Sequence, residues 1–220
     1  MHADPSSRAR LRPGARANFP DDTLFHRVAR LVCDAGCLPR KELYEAWEVA
    51  RRARRCWRGG RVVDLACGHG LLAMLMLVLD DTSKLALAVD RRLPPSASKL
   101  RAAFCGAWPR LLGRVELAEG DLGAVTLAPS DVVVSAHACG ALTDRVLEAA
   151  LGARARVAVL PCCHDASVCD TGSLEGWLEP GLAIDVTRAA RLTAAGYRVR
   201  TQRIPPAITP KNRLLLAEPR

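Results

Sequence analysis

No stretch of this 220-residue chain is long and apolar enough to cross a bilayer. The most hydrophobic run, Leu71–Leu79, holds nine residues, where about 20 are needed. No apolar run led by basic residues stands at the start either, so neither secretion nor membrane insertion is expected and the reading is cytoplasmic. Internal repeats are missing, and so are low-complexity blocks beyond the first twenty residues. Lysine is scarce, confined to Lys41, Lys84, Lys99 and Lys211, so the formal net charge of +9 is carried mainly by arginine. That excess fits a polyanionic partner such as RNA, because cationic side chains release counterions from phosphates. An arginine-rich surface in plain solvent explains it equally well.

Hydrophobic residues make up 50 % of the chain, enough for a substantial core in one α/β domain with an N-terminal extension. The nine cysteines are odd in number and sit in helical or strand-like context. That pattern reads as reduced thiols and not as a secreted disulfide framework.

Thirty residues, Arg61 to Asp90, organise the rest. Arg61–Leu65 is short and β-branched, as a strand buried on both faces would be. Ala66–Gly70 turns tightly, with Gly68 and Gly70 free to take backbone angles other residues avoid. Leu71–Leu79 is apolar nearly all round, a helix packed on a sheet. Leu85–Asp90 is a second strand with an acid at its carboxyl end, where ligands bind in open α/β sheets and ribose hydroxyls find an acceptor.

Two cofactors fit this unit. Gly68, Gly70 and Ala73 satisfy the loose dinucleotide fingerprint. Asp64, just ahead of the turn, would repel a pyrophosphate there and favour a cationic ammonium, directly or through backbone and water. S-adenosylmethionine carries such an ammonium and no phosphate, and it is preferred over a nicotinamide. Its expected contacts from the turn and the strand end are Asp64, Ala66, Cys67, Gly68, His69, Gly70, Asp90 and Arg91. A turn without any ligand is the plain alternative, and it leaves two glycines and two well-placed acids as coincidence.

Residues 1–20 are polar and arginine-rich without periodicity and read as a flexible basic arm. Residues 21–58 read as a helical extension: Asp22 caps a first helix that Gly36 ends, and Pro39 opens a second with Leu43, Trp47 and Ala50 on one face. Arg51, Arg52, Arg54 and Arg55 close it as a solvated face or a substrate wall. Residues 59–220 form the main domain. Further strands are expected at Arg114–Ala118, Val132–Ser135 and Arg156–Leu160, with helices at Ser96–Trp108, Thr143–Leu151 and Leu182–Ala195. A terminal hairpin, Tyr197–Gln202 with Arg213–Ala217, completes an α/β fold: a Rossmann-like, doubly wound sheet of seven strands. Asp185, Arg188 and Arg191 share one helical face and suit either an anion clamp or ordinary salt bridges. The loop Pro205–Asn212 either meets a polyanion or simply turns the chain.

Two stretches at the ends of the fourth and fifth strands carry most of the unusual chemistry: SAHACGALTD (Ser135–Asp144) and LPCCHD (Leu160–Asp165). The glycine turn followed by H-x-C-G-x-x-T-D and P-C-C-H resembles class I S-adenosylmethionine-dependent methyltransferases. Within them it resembles the Trm13 group of tRNA 2′-O-methyltransferases and methyltransferase-like relatives. The resemblance covers Val62 to Asp165. It implies the fold, the methyl donor with Asp121, Leu122 and His137 among its contacts, and His137, Cys139, Cys162, Cys163 and His164 at the reaction edge. This chain lacks the Cys/His zinc modules of that group, and its own first sixty residues have no counterpart there.

His137 or His164 would serve as base for a hydroxyl acceptor, since imidazole titrates near neutrality. Each is equally well a structural histidine. Cys139, Cys162 and Cys163 are candidate nucleophiles or small packing residues. A zinc site is not expected, because adjacent Cys162 and Cys163 on a strand would point to opposite faces. The leading expectation is methylation of RNA, with a ribose 2′-hydroxyl as a specific candidate. A small-metabolite or protein methyltransferase is the alternative, and a non-catalytic cofactor- or RNA-binding module the third. No obligate protein partner is inferred.

Overall fold

The computed structural model describes residues 4–220. Seven strands form one sheet in the order β3-β2-β1-β4-β5-β7-β6. They are β1 (Val62–Leu65), β2 (Ala86–Asp90), β3 (Val115–Glu119), β4 (Val132–Ser135), β5 (Arg156–Val159), β6 (Tyr197–Arg203) and β7 (Arg213–Pro219). β1 to β5 run parallel. β7 returns antiparallel to both β5 and β6. The strand order reverses beside β1, and the crevice above that point is where such sheets bind ligands. No helix among the described residues is long and apolar enough to cross a membrane.

Among the described residues six α-helices accompany the strands: α1 (Leu24–Ala35), α2 (Arg40–Cys56), α3 (Leu71–Val78), α4 (Ala97–Ala107), α5 (Ala141–Gly152) and α6 (Pro180–Ala194). Thr23, not Asp22, caps α1, its side chain accepting from the His26 N–H. Gly36 ends that helix in the left-handed conformation at φ 70°, as expected of a C-terminal glycine.

All eight residues of α3 are buried, because the helix lies between the sheet and α2. Each of its Leu and Met side chains contributes about 2 kcal/mol by leaving water. Its last carbonyls need donors, and arginines supply them. Arg54 Nε donates to Met76 O at 2.9 Å, and Arg110 donates to Leu77 O and Val78 O at 2.8 and 2.9 Å. Cations at a helix C-terminus also oppose its dipole.

Two expectations about charge and order are corrected by the fold. Arg54 is not on a solvated face: it is buried against Asp80 at 3.1 Å, and burial pulls its pKa down to about 10. The described part of the expected arm, residues 4–20, is docked. Leu11 and Phe19 are buried, and the Leu11 N–H donates to Leu38 O at 2.9 Å. Two apolar anchors in a polar segment hold it to α1 and α2; residues 1–3 lie outside the described residues. The Pro205–Asn212 loop folds onto the core through Ile208 and Thr209, both buried.

The extension is continuous with the domain it was expected to decorate. One apolar cluster runs from Leu11 and Phe19 through α1, α2 and α3 to Leu216 of β7. A second lies on the opposite face of the sheet beneath α5 and α6, from Val63 and Leu65 to Tyr197.

Candidate active site

The turn from β1 to α3 forms the centre of the site. Ala66, Gly68 and Gly70 all have positive φ, at 57°, 55° and 71°. For an alanine that conformation is uncommon and costs energy. Gly70 is required by packing as well: a Cβ there would lie 2.8 Å from Leu117 Cδ2 and 3.3 Å from Ala88 Cβ. At Gly68 a Cβ would meet no atom within 4 Å, so this residue leaves the space over the turn open.

Asp90, at the end of β2, accepts from the Gly68 N–H at 2.8 Å and from the Arg92 N–H at 3.3 Å. It lines a cavity of about 380 Å³ together with Ala66, Arg91, Asp121, Leu122, Leu142 and Arg145. Asp121 caps the short turn after β3 by accepting from the Gly123 N–H at 2.8 Å, and Arg145 holds the same oxygen at 2.7 Å. Those bonds hold the Asp121 carboxyl below its usual pKa, the Gly123 N–H contributing most.

Asp64 is placed differently from expectation. Alternation along β1 puts it on the face of Val62, beneath α3, while Val63 and Leu65 face the other core. It is 1 % exposed and accepts from the Ala73 N–H at 3.1 Å. Burial drives its pKa up to about 8, with the Asp90 charge adding to the rise. A carboxyl mainly protonated at neutral pH does not repel phosphate by charge. It instead occupies a donor in the first turn of α3, the place where a pyrophosphate would seat.

A second, very small cavity of about 10 Å³, room for roughly one water, lies on the other side of the turn. Asp64, Cys67, His69 and His137 line it, together with Leu38 and with Glu42 and Ala46 of α2. Burial raises the pKa of Glu42 and, more strongly, that of the Cys67 thiol. Burial lowers the pKa of His69, whose Nε2 lies 3.0 Å from Ser96 Oγ. His137 is pushed down to about 4, chiefly by burial and then by the charges of Lys41 and His69. It is neutral at pH 7, able to orient an acceptor but a weak base.

The five residues expected at the reaction edge separate into three groups. His137 stays with the turn. Cys139, Cys162 and Cys163 converge, with Cys139 and Cys162 sulfurs 3.1 Å apart and Cys162 and Cys163 sulfurs 3.8 Å apart. β5 ends at Val159, so opposite-face alternation does not govern Cys162 and Cys163. His164 turns away to α6, its Nε2 2.9 Å from Asp185 Oδ2, which also accepts from Arg213 Nε at 2.6 Å.

The proposed anion clamp on α6 is internally paired. Arg188 is buried and bonded to both oxygens of Asp144 at 2.8 and 2.7 Å and to Gly140 O at 3.1 Å. Arg191 pairs with Asp170 at 2.6 Å. Sequence reasoning missed Glu42 and Arg145. An acid in the first turn of an amphipathic helix reads as a dipole partner, and only the tertiary fold brings it to the turn.

An open sheet of this order, with a glycine turn, an acid ending β2 and flanking helices, has the Rossmann-like architecture of methyltransferases. Residues 42–167 match the family described as "Methyltransferase domain", and the chain belongs to it. No curated protein matches the chain by sequence. Among solved structures, an O-methyltransferase family protein from Burkholderia thailandensis superposes with TM-score 0.54 at 20 % identity, covering 95 % of this chain and 63 % of that one. The Bacillus subtilis M1A22 tRNA methyltransferase TrmK gives 0.53 at 18 % identity, over 80 % of this chain and 65 % of that one. The pyocyanin biosynthetic protein PhzM gives 0.52 at 18 %, over 94 % and 61 %. The chain thus spans less than two thirds of each of these structures, and the likeness is one of fold.

Proposed function

We propose that this methyltransferase uses S-adenosylmethionine to methylate RNA, with a tRNA ribose 2′-hydroxyl as the specific acceptor. The observation that carries the RNA reading is the docked N-terminal segment. It brings Arg8 and Arg10 onto α2 beside Arg40 and Lys41, where the field of Arg10 reaches His69 and Glu42 and that of Lys41 reaches His137. A basic rim beside the turn suits a phosphate backbone.

The residues present fit the methyl donor. The space over Gly68 is open, the larger cavity offers Asp90 and Asp121 as acceptors between Leu122 and Leu142, and Glu42 faces the smaller one. Asp90 would accept from the ribose, Asp121 from the adenine amine, and Glu42 would face the ammonium. When bound, the donor supplies an electrophilic methyl on a sulfonium. The protein's part is to place the acceptor in line with it and keep water out. His137, neutral at pH 7, accepts a hydrogen bond from the acceptor and aligns it. The free state of all nine cysteines fits a reducing compartment, and we assign the enzyme to the cytoplasm.

A second reading, a small partly apolar acceptor, is favoured by one observation. A cavity of about 410 Å³ lies between α6 and the last two strands, lined by Pro161, Leu182, Val186, Asp185, Arg213 and Leu214 among others. Transfer of tritiated methyl from S-adenosylmethionine into total RNA, protein and metabolite fractions decides between them. Label in RNA, lost above moderate salt, is the expected result. Label in metabolites or protein alone overturns the RNA reading.

A further inference from the structure

Cys139, Cys162 and Cys163 offer one sulfur each, all three within 4.8 Å of one another. Two of the separations are 3.1 and 3.8 Å. The edge of a tetrahedral thiolate site with metal–sulfur bonds of about 2.3 Å is roughly 3.8 Å. One edge already has that length, and another reaches it with a shift of less than an ångström.

The cluster is held from both sides by one helix. Arg188 of α6 bonds Gly140 O, next to Cys139, at 3.1 Å, and Asp185 of α6 bonds His164, next to Cys163, at 2.9 Å. Arg188 and Asp185 are themselves 3.3 Å apart. The two loops carrying the thiols are therefore fixed relative to each other before any ligand arrives. Cys139 and Cys163 are exposed and Cys162 is half-buried, so an ion can enter.

We propose that these three cysteines form a zinc site with three thiolate ligands and a fourth position open to water. Binding exchanges the thiol protons for the cation and forms three sulfur–metal bonds. The ion joins the loop after β4 to the loop after β5 and sits on the ligand edge of the sheet. Nothing in this inference depends on the methyl donor or on the acceptor.

The test is titration of the reduced full-length protein with Cd²⁺ as a spectroscopic probe, without methyl donor and under anaerobic conditions. One equivalent should develop sulfur-to-metal charge-transfer absorbance, and Zn²⁺ should compete it away. Cys139→Ser, Cys162→Ser and Cys163→Ser should each weaken binding at least tenfold, while Cys105→Ser leaves it unchanged. Should a variant misfold, alkylation of the wild type read by mass spectrometry replaces it. Bound Cd²⁺ should protect Cys139, Cys162 and Cys163 and leave Cys56 and Cys105 reactive. A folded, reduced protein that takes up no Cd²⁺ overturns the proposal, whether or not air then forms a Cys139–Cys162 disulfide. So does protection spread evenly over all accessible thiols.

Discussion

The backbone N–H of Gly68 donates to Oδ2 of Asp90 across 2.8 Å. That bond joins the turn leaving β1 to the end of β2, so the loop and the acid are set by each other. Asp90→Ala removes both the anchor of the turn and the acceptor offered to a ribose. Affinity for S-adenosylhomocysteine, measured by calorimetry, should fall at least tenfold, with a much smaller change in melting temperature.

Gly68 and Gly70 should respond differently to alanine. Gly70→Ala forces a Cβ to within 2.8 Å of Leu117 at positive φ, so the fold should lose about 1–3 kcal/mol in denaturant titration. Gly68→Ala meets no protein atom. It should cost only about 1 kcal/mol of backbone strain yet abolish cofactor binding, because its methyl group enters the open space.

The pKa of Asp64 is raised from 3.8 to about 8 on folding. The folded state therefore holds this proton more tightly. Its contribution is fully present below about pH 4 and is lost as pH rises through 8. Asp64→Asn keeps an acceptor for the Ala73 N–H without ionising. Relative to wild type its unfolding free energy should improve steadily between pH 4 and 8, by at most several kcal/mol. A variant that tracks wild type at every pH contradicts the burial argument.

Arg188 is buried and holds Asp144, Asp185 and Gly140 O. Arg188→Ala leaves Asp144 without its cation, while Asp185 keeps Arg213, and should destabilise the protein by about 3 kcal/mol, read as a lowered melting temperature. The backbone around Gly140 should also gain hydrogen-exchange rate.

Much of the fold was legible because it is locally encoded. The run of β-branched residues, the glycine turn and the apolar helix place β1, the turn and α3 to within a residue. Val132–Ser135 is a strand over the same four residues expected. What local pattern cannot show is partnership across the chain. Nothing around Arg54 or Arg188 in sequence reveals the distant acids Asp80 and Asp144 that pair with them. The docking of Leu11 and Phe19 depends on helices formed later in the chain. Asp64 stands out beside the glycine turn, but its burial beneath α3 shows only in the fold. Cys162 and Cys163 point to opposite faces only if β5 continues past Val159, and where β5 ends is not legible locally.

Leu38 and Glu42 wall the small cavity at the turn, yet neither belongs to the seven strands or their crossovers. The larger cavity beside the turn is built at the edge of the sheet, whereas the smaller one is closed by a helical hairpin ahead of it. Because α2 supplies Glu42 to that cavity and packs against α3, a hairpin grafted from a relative would have to bring its own acid to the turn.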